Sequence, residues 1–86
     1  MSESIYLINA IERVDFELGK AIGKHPVFPC ENADGLNIIT EEMLELMRAV
    51  NDSESSERQI EEAAHVAVTA IRFIESCLKK EKNLSD

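Results

Sequence analysis

The chain has little that could grip nucleic acid, span a bilayer or be stapled by disulfides. Its 86 residues carry 9 Lys and Arg against 17 Asp and Glu, a formal net charge of −8. Sequence-independent binding of DNA or RNA rests on Lys and Arg neutralising phosphates, so this balance argues against a nucleic-acid partner. A phosphate-bearing small molecule stays compatible, provided a metal cation screens the acids. No apolar run approaches the roughly 18–20 residues of a membrane span, and no signal peptide opens the sequence. There are two cysteines, Cys30 and Cys77, far apart and without CxxC spacing. The expectation is a reduced, cytoplasmic protein that touches no membrane and has no disulfide framework. A chain this short buries only roughly 60–65% of its unfolded surface, so oligomerisation is the expected source of further core.

Three helical patterns are present, and no strand alternation persists. The first spans about Ser4 to Ile22, with Leu7, Ile11, Val14, Leu18 and Ile22 at spacings of three and four and Gly23 as the stop. The segment from His25 to Gly35 holds both prolines and a glycine and reads as a connector. The second helix starts between Asp34 and Thr40 and ends near Val50. Its stripe is Leu36, Ile39, Met43, Leu46, Met47 and Val50, with Met43 and Met47 read as core. Ser56 with Gln59 resembles a capping box for the third helix, which extends to about Lys80. Lys79, Lys80 and Lys82 suit a helix end, and Asn83 to Asp86 reads as a frayed tail. One domain, residues 1–86, accounts for the whole chain.

The third helix is apolar around well over half of its circumference, which marks a helix buried in a core or shared between subunits. One polar stripe runs through it: Glu62, His65, Thr69, Arg72 and Ser76. Polar groups among packed apolar faces are costly unless satisfied. Glu42 and Glu45, three apart on the second helix, share one face and are the obvious partners. Two oxygen ligands facing an oxygen and a nitrogen across an interhelical gap is the geometry of carboxylate-lined metal sites in helix bundles.

The spacing EExxE (Glu41, Glu42, Glu45), then 16 residues, then ExxH (Glu62, His65), resembles the all-α nucleoside triphosphate pyrophosphohydrolases of the MazG-like superfamily. Their signature is EExxE followed at a comparable distance by ExxD. The resemblance covers about Gly35 to Glu75. The text Ile39-Thr40-Glu41-Glu42 and the run His65 to Glu75 look like the small phage- and mobile-element-type branch. The resemblance implies that Glu42, Glu45 and Glu62 are magnesium ligands, that Glu41 is the adjacent acid, and that His65 stands where the family has Asp. Mg²⁺ prefers hard oxygen ligands, whereas imidazole suits Mn²⁺ or other transition metals. The chain has no tryptophan, so the family's nucleobase pocket does not map.

Cleavage between the α- and β-phosphates needs a nucleophilic water, charge neutralisation and fixed geometry. Carboxylate-bound Mg²⁺ or Mn²⁺ supplies these. Glu41 is then the group that orients or deprotonates the water, Arg72 a phosphate partner, and Lys20 and Lys24 (with Arg58) weaker candidates of that kind. Each residue has a plainer alternative. Glu41, Glu42 and Glu45 can be a solvated face, His65 a core histidine, and Arg72 an ion-pair partner of Glu42, Glu45 or Glu62. Phe28 fits a plug better than a base-stacking platform, and His25 with Cys30 is two ligands short of a zinc site. The expectation is an all-α chain of three helices, the second and third forming an antiparallel hairpin. Two hairpins pair into a four-helix bundle, as a homodimer or a dimer of dimers. Its expected activity is metal-dependent hydrolysis of an NTP or dNTP to monophosphate and pyrophosphate. The competing class is a catalytically silent helical oligomer that binds a nucleotide or a protein.

Overall fold

A computed structural model describes the backbone of residues 2–85 and the side chains of residues 4–82. It holds three helices: α1 (Ser2–Lys24), α2 (Asn32–Asn51) and α3 (Ser56–Ser85). Among the described residues there is no strand, and no helix is long and apolar enough to cross a membrane. The all-α expectation holds, with displaced boundaries. α1 runs through Gly23, and the His25 N–H still donates to the Ala21 carbonyl at 2.8 Å. Pro26 ends it, because the residue before a proline is driven out of the helical region.

α2 begins at Asn32, ahead of the expected start, so Gly35 lies inside its first turns. Gly35 is not a breaker here. It is buried, and a Cβ on it would stand 3.0 Å from Phe73 and 3.1 Å from Phe28. The glycine lets two aromatic rings pack against the helix backbone. Gly35→Ala sets a helix-propensity gain of at most about 1 kcal/mol against overpacking of about 1–3 kcal/mol. It is expected to lower stability by roughly 1 kcal/mol in chemical denaturation.

The turn into α3 closes with a Schellman pattern: Ser53 takes a left-handed φ of 52°, its N–H donates to Val50, and the Glu54 N–H returns to Ala49. The cap of α3 is Ser55 rather than Ser56; its Oγ accepts the Arg58 N–H at 3.2 Å. Gln59 reaches back to the Glu54 carbonyl at 2.9 Å, so the glutamine predicted for the cap does serve the helix start. At the other end the helical backbone continues beyond Lys80 to Ser85, and Asp86 lies outside the described residues.

Contacts ascending together (Arg13 with Glu57, Glu17 with His65, His25 with Arg72) make α1 parallel to α3. Asn32 with Lys80, Gly35 with Phe73 and Glu42 with His65 make α2 antiparallel to it. α3 packs against both neighbours, and among the described residues α1 and α2 do not pack against each other. The result is a thin layer, 46 × 33 × 20 Å. Its radius of gyration, 14.7 Å, exceeds the ~12 Å of a compact domain of this length.

Burial in that layer inverts the usual pattern. The buried apolar side chains are Ala49, Ala64 and Val68, and the buried polar ones are Glu17, Glu62 and Arg72. Leu7, Ile11 and Ile22 of the expected α1 stripe are exposed, as are Leu36, Met43, Met47 and Val50 of α2. The two methionines therefore do not belong to this chain's core. What α2 turns towards α3 is Gly35, Ile38, Glu42, Leu46 and Ala49, one stripe further round. Of the two predicted stripes, Val14, Leu18, Ile39 and Leu46 are half-buried, and the others look outward.

Candidate metal centre and cleft

α3 forms the floor of a cleft of about 540 Å³, with α1 and α2 as its walls and the loop around Val27 and Phe28 closing one end. The floor carries Glu61, His65, Val68, Thr69 and Arg72; α1 adds Glu17, Lys20 and Lys24, and α2 adds Ile38, Glu41 and Glu42. This is the polar stripe of the third helix, lying between two helices that leave a gap above it.

His65 stands at the centre of the acidic end. Its Nδ1 lies 3.1 Å from Glu62 Oε1 and 3.8 Å from Glu42 Oε2, and its Nε2 lies 3.5 Å from Glu17 Oε1. Glu42, Glu62 and His65 each offer a ligand atom within 4.8 Å of the others, and so do Glu17, Glu61 and His65. Glu45 is exposed at the rim, beside Glu42. Glu41 is exposed on the wall of the cleft.

Glu42 Oε2 is buried and accepts no hydrogen bond. Burial pushes the Glu42 carboxyl above the usual carboxylate range, and the nearby Glu45 pushes it further. A carboxyl that is harder to ionise in the folded chain costs stability as the pH rises from the ordinary carboxylate range through its higher folded value, and the cost is complete above that value. In metal-free protein, Glu42→Gln is therefore expected to raise the melting temperature near neutral pH by a few degrees. That gain should shrink as the pH falls into the ordinary carboxylate range, a trend that thermal melts across pH will show. Two carboxylates and an imidazole around an unsatisfied oxygen form a donor set that fits Mn²⁺, and with Glu45 added it approaches what Mg²⁺ accepts.

Glu17 was not singled out by sequence reasoning. Its side chain is 2% exposed, with Arg13 Nε at 3.0 Å and Lys20 Nζ at 3.5 Å. Burial alone would raise its carboxyl, but the Arg13 hydrogen bond and the Lys20 and Arg13 charges outweigh it and hold it below the usual range. Its stabilising contribution is present above the ordinary carboxylate range and is lost as the pH falls through its folded value, the opposite sense to Glu42. The available signal was local: an acid among Val14, Leu18 and Ala21, with Arg13 at i−4 and Lys20 at i+3.

The predicted cations take different places. Lys20 is paired with Glu17 and lies 5.3 Å from the Phe16 ring centroid. Lys24 is exposed on the wall of the cleft. Arg72 makes no ion pair with Glu42, Glu45 or Glu62; it donates to the His25 carbonyl at 2.8 Å and sits 5.4 Å from the Phe28 ring centroid. Phe28 is the plug, wedged between Arg72 and Gly35. Arg58 pairs with Glu61, with Glu54 at 3.3 Å and with Glu62 at 2.8 Å. No protein-family profile, no curated protein and no solved structure matches the chain.

Proposed function

We propose that the chain is a metal-dependent nucleoside triphosphate pyrophosphohydrolase of the MazG-like type, working as a homodimer or a dimer of dimers. The observation that carries the reading is Glu42 Oε2, a buried carboxylate oxygen without a partner, facing Glu62 and His65 in an open cleft. Such an atom calls for a cation or a proton. Glu42, Glu62 and His65 would hold Mg²⁺ or Mn²⁺, with Glu45 completing the set from the rim. The metal, when bound, neutralises phosphate charge and makes a coordinated water more acidic. Glu41 on the cleft wall orients or deprotonates the attacking water. Lys24 and the Arg72 guanidinium, towards the loop end, meet the phosphates, and Lys20 adds positive charge from α1.

Assembly follows from what is left uncovered. On α3, Ile60, Ile71, Ile74 and Leu78 are exposed, on the side opposite His65 and Glu62. Leu36, Met43, Met47 and Val50 of α2 face the same way. Two hairpins pairing through these stripes bury both sets and leave the cleft open.

A second reading has its own support. Glu61 and Glu62 are already paired with Arg58, Glu17 with Arg13, and His65 with Glu62, a network that needs no metal. On that reading the chain is a silent helical oligomer that binds a nucleotide or a protein. A panel of NTPs and dNTPs with Mg²⁺ or Mn²⁺, scored for pyrophosphate release, separates the two. Release with at least one nucleotide supports the enzyme, and inertness across the whole panel supports the silent oligomer.

A further inference from the structure

A histidine binds a metal through one ring nitrogen, and the other then carries a proton that needs an acceptor. Both nitrogens of His65 face carboxylates. On the Nδ1 side lie Glu62, at a hydrogen-bonding 3.1 Å, and the Oε2 of Glu42 at 3.8 Å, which has no hydrogen-bond partner; on the Nε2 side lies Glu17 at 3.5 Å. The two sides differ in how their charge is already balanced. Arg13 and Lys20 neutralise Glu17, and Arg58 is shared between Glu61 and Glu62, whereas Glu42 has no cationic partner among the described residues but the imidazole itself. A divalent cation is repelled from the side guarded by Arg13 and Lys20 and drawn to the side of Glu42.

We propose that Glu17 is a positioning residue that holds the His65 proton on Nε2, so that Nδ1 is free to bind the metal with Glu42 and Glu62. The proposal rests on the metal reading above and deepens it. Glu17 comes from α1, outside the pair of helices that carries the motif. Its side chain is more deeply buried than those of Glu42 and Glu62, at 2% exposure against 26% and 7%. A buried charge at that position is costly to keep, and Arg13, one turn earlier, fixes its orientation. Where the resembled pattern has a carboxylate, this chain places an imidazole backed by a carboxylate. The pair delivers negative charge to the metal through the ring.

Labelling histidine with ¹⁵N in the full-length chain tests this directly, with Zn²⁺ as a diamagnetic probe. His25→Asn leaves His65 as the single histidine, since it is the His25 backbone carbonyl that serves Arg72. Long-range ¹H–¹⁵N correlations are expected to show Nδ1 coordinated and Nε2 protonated. By calorimetry, Glu17→Gln should weaken Zn²⁺ and Mn²⁺ binding roughly 10–100-fold, the usual effect of removing such an outer partner. Coordination through Nε2 with the proton on Nδ1 overturns the proposal, and the wild-type spectrum decides it even if Glu17→Gln fails to fold. Equal affinity in Glu17→Gln and wild type also overturns it while leaving the metal site standing. Absence of any cation response in the wild type removes the metal site itself, and Glu17's role with it.

Discussion

Glu62→Gln is expected to lower metal-dependent pyrophosphate release by about 100-fold or more, at or beyond the top of the roughly 10–100-fold that loss of a ligand's hydrogen-bond partner costs a metal site. The side chain is 7% exposed and does two things at once: Oε1 faces His65 at 3.1 Å and Oε2 accepts from Arg58 at 2.8 Å. The amide keeps the shape and can keep one of those contacts, but it removes the charge that a divalent ion needs. The chain should therefore stay helical by circular dichroism while turnover falls and the metal-induced rise in melting temperature disappears. Turnover within a few-fold of wild type, with the variant still responding to Mn²⁺, would mean that Glu62 serves only its ion pair with Arg58.

The largest effect on assembly is expected from Ile71→Glu combined with Ile74→Glu. Both side chains are exposed in the single chain, at 41% and 56%, on the outward stripe of α3. Burying an isoleucine contributes about 1.5–3 kcal/mol, and a two-fold interface uses each position twice. Only the part of each side chain that is still exposed is left to bury, so the upper estimate is roughly 3–6 kcal/mol of association energy, before the cost of burying the introduced acids. Light scattering should find wild type as a dimer or larger at micromolar concentration. The double variant should be a monomer with a broad or absent thermal transition. A wild-type protein that is a folded, monodisperse monomer would sink both the interface and the four-helix arrangement.

The acidic cluster was legible because the i, i+3 pairs Glu42/Glu45 and Glu62/His65 sit on successive helices whose register a short turn fixes. The structure places Glu42, Glu62 and His65 together and leaves Glu45 at the rim. The meeting of Glu17 with His65 was illegible for a physical reason: the local signal marks Glu17 as a paired acid on an apolar face, but nothing in the sequence says that α1 runs parallel to α3, which is what brings residue 17 to residue 65. Gly35 misled because a glycine between prolines and a helix signals a break, whereas here it yields space to Phe28 and Phe73. The stripes of Leu7 and Ile11 on α1, and of Met43 and Met47 on α2, show the sharper limit. A periodic apolar face states that something will cover it, and does not state whether that cover belongs to the same chain.

The arrangement of α1 and α2 on either side of α3, without contact between their described residues, bears on how the protein is made. A nascent chain emerging from the ribosome presents α1 first, then α2, and neither has a tertiary partner until the final helix is synthesised. At about 5–20 residues per second, the 30 residues of α3 take roughly 2–6 s to translate. During that interval the half-buried Val14 and Leu18 of α1 have nothing of their own chain to lie against, and Ile5, Leu7, Ile8 and Ile11 stay exposed even in the finished single chain. Folding on the ribosome must therefore run from the C-terminal end backwards. α3 closes on α2 as a local hairpin, and α1, although made first, docks last.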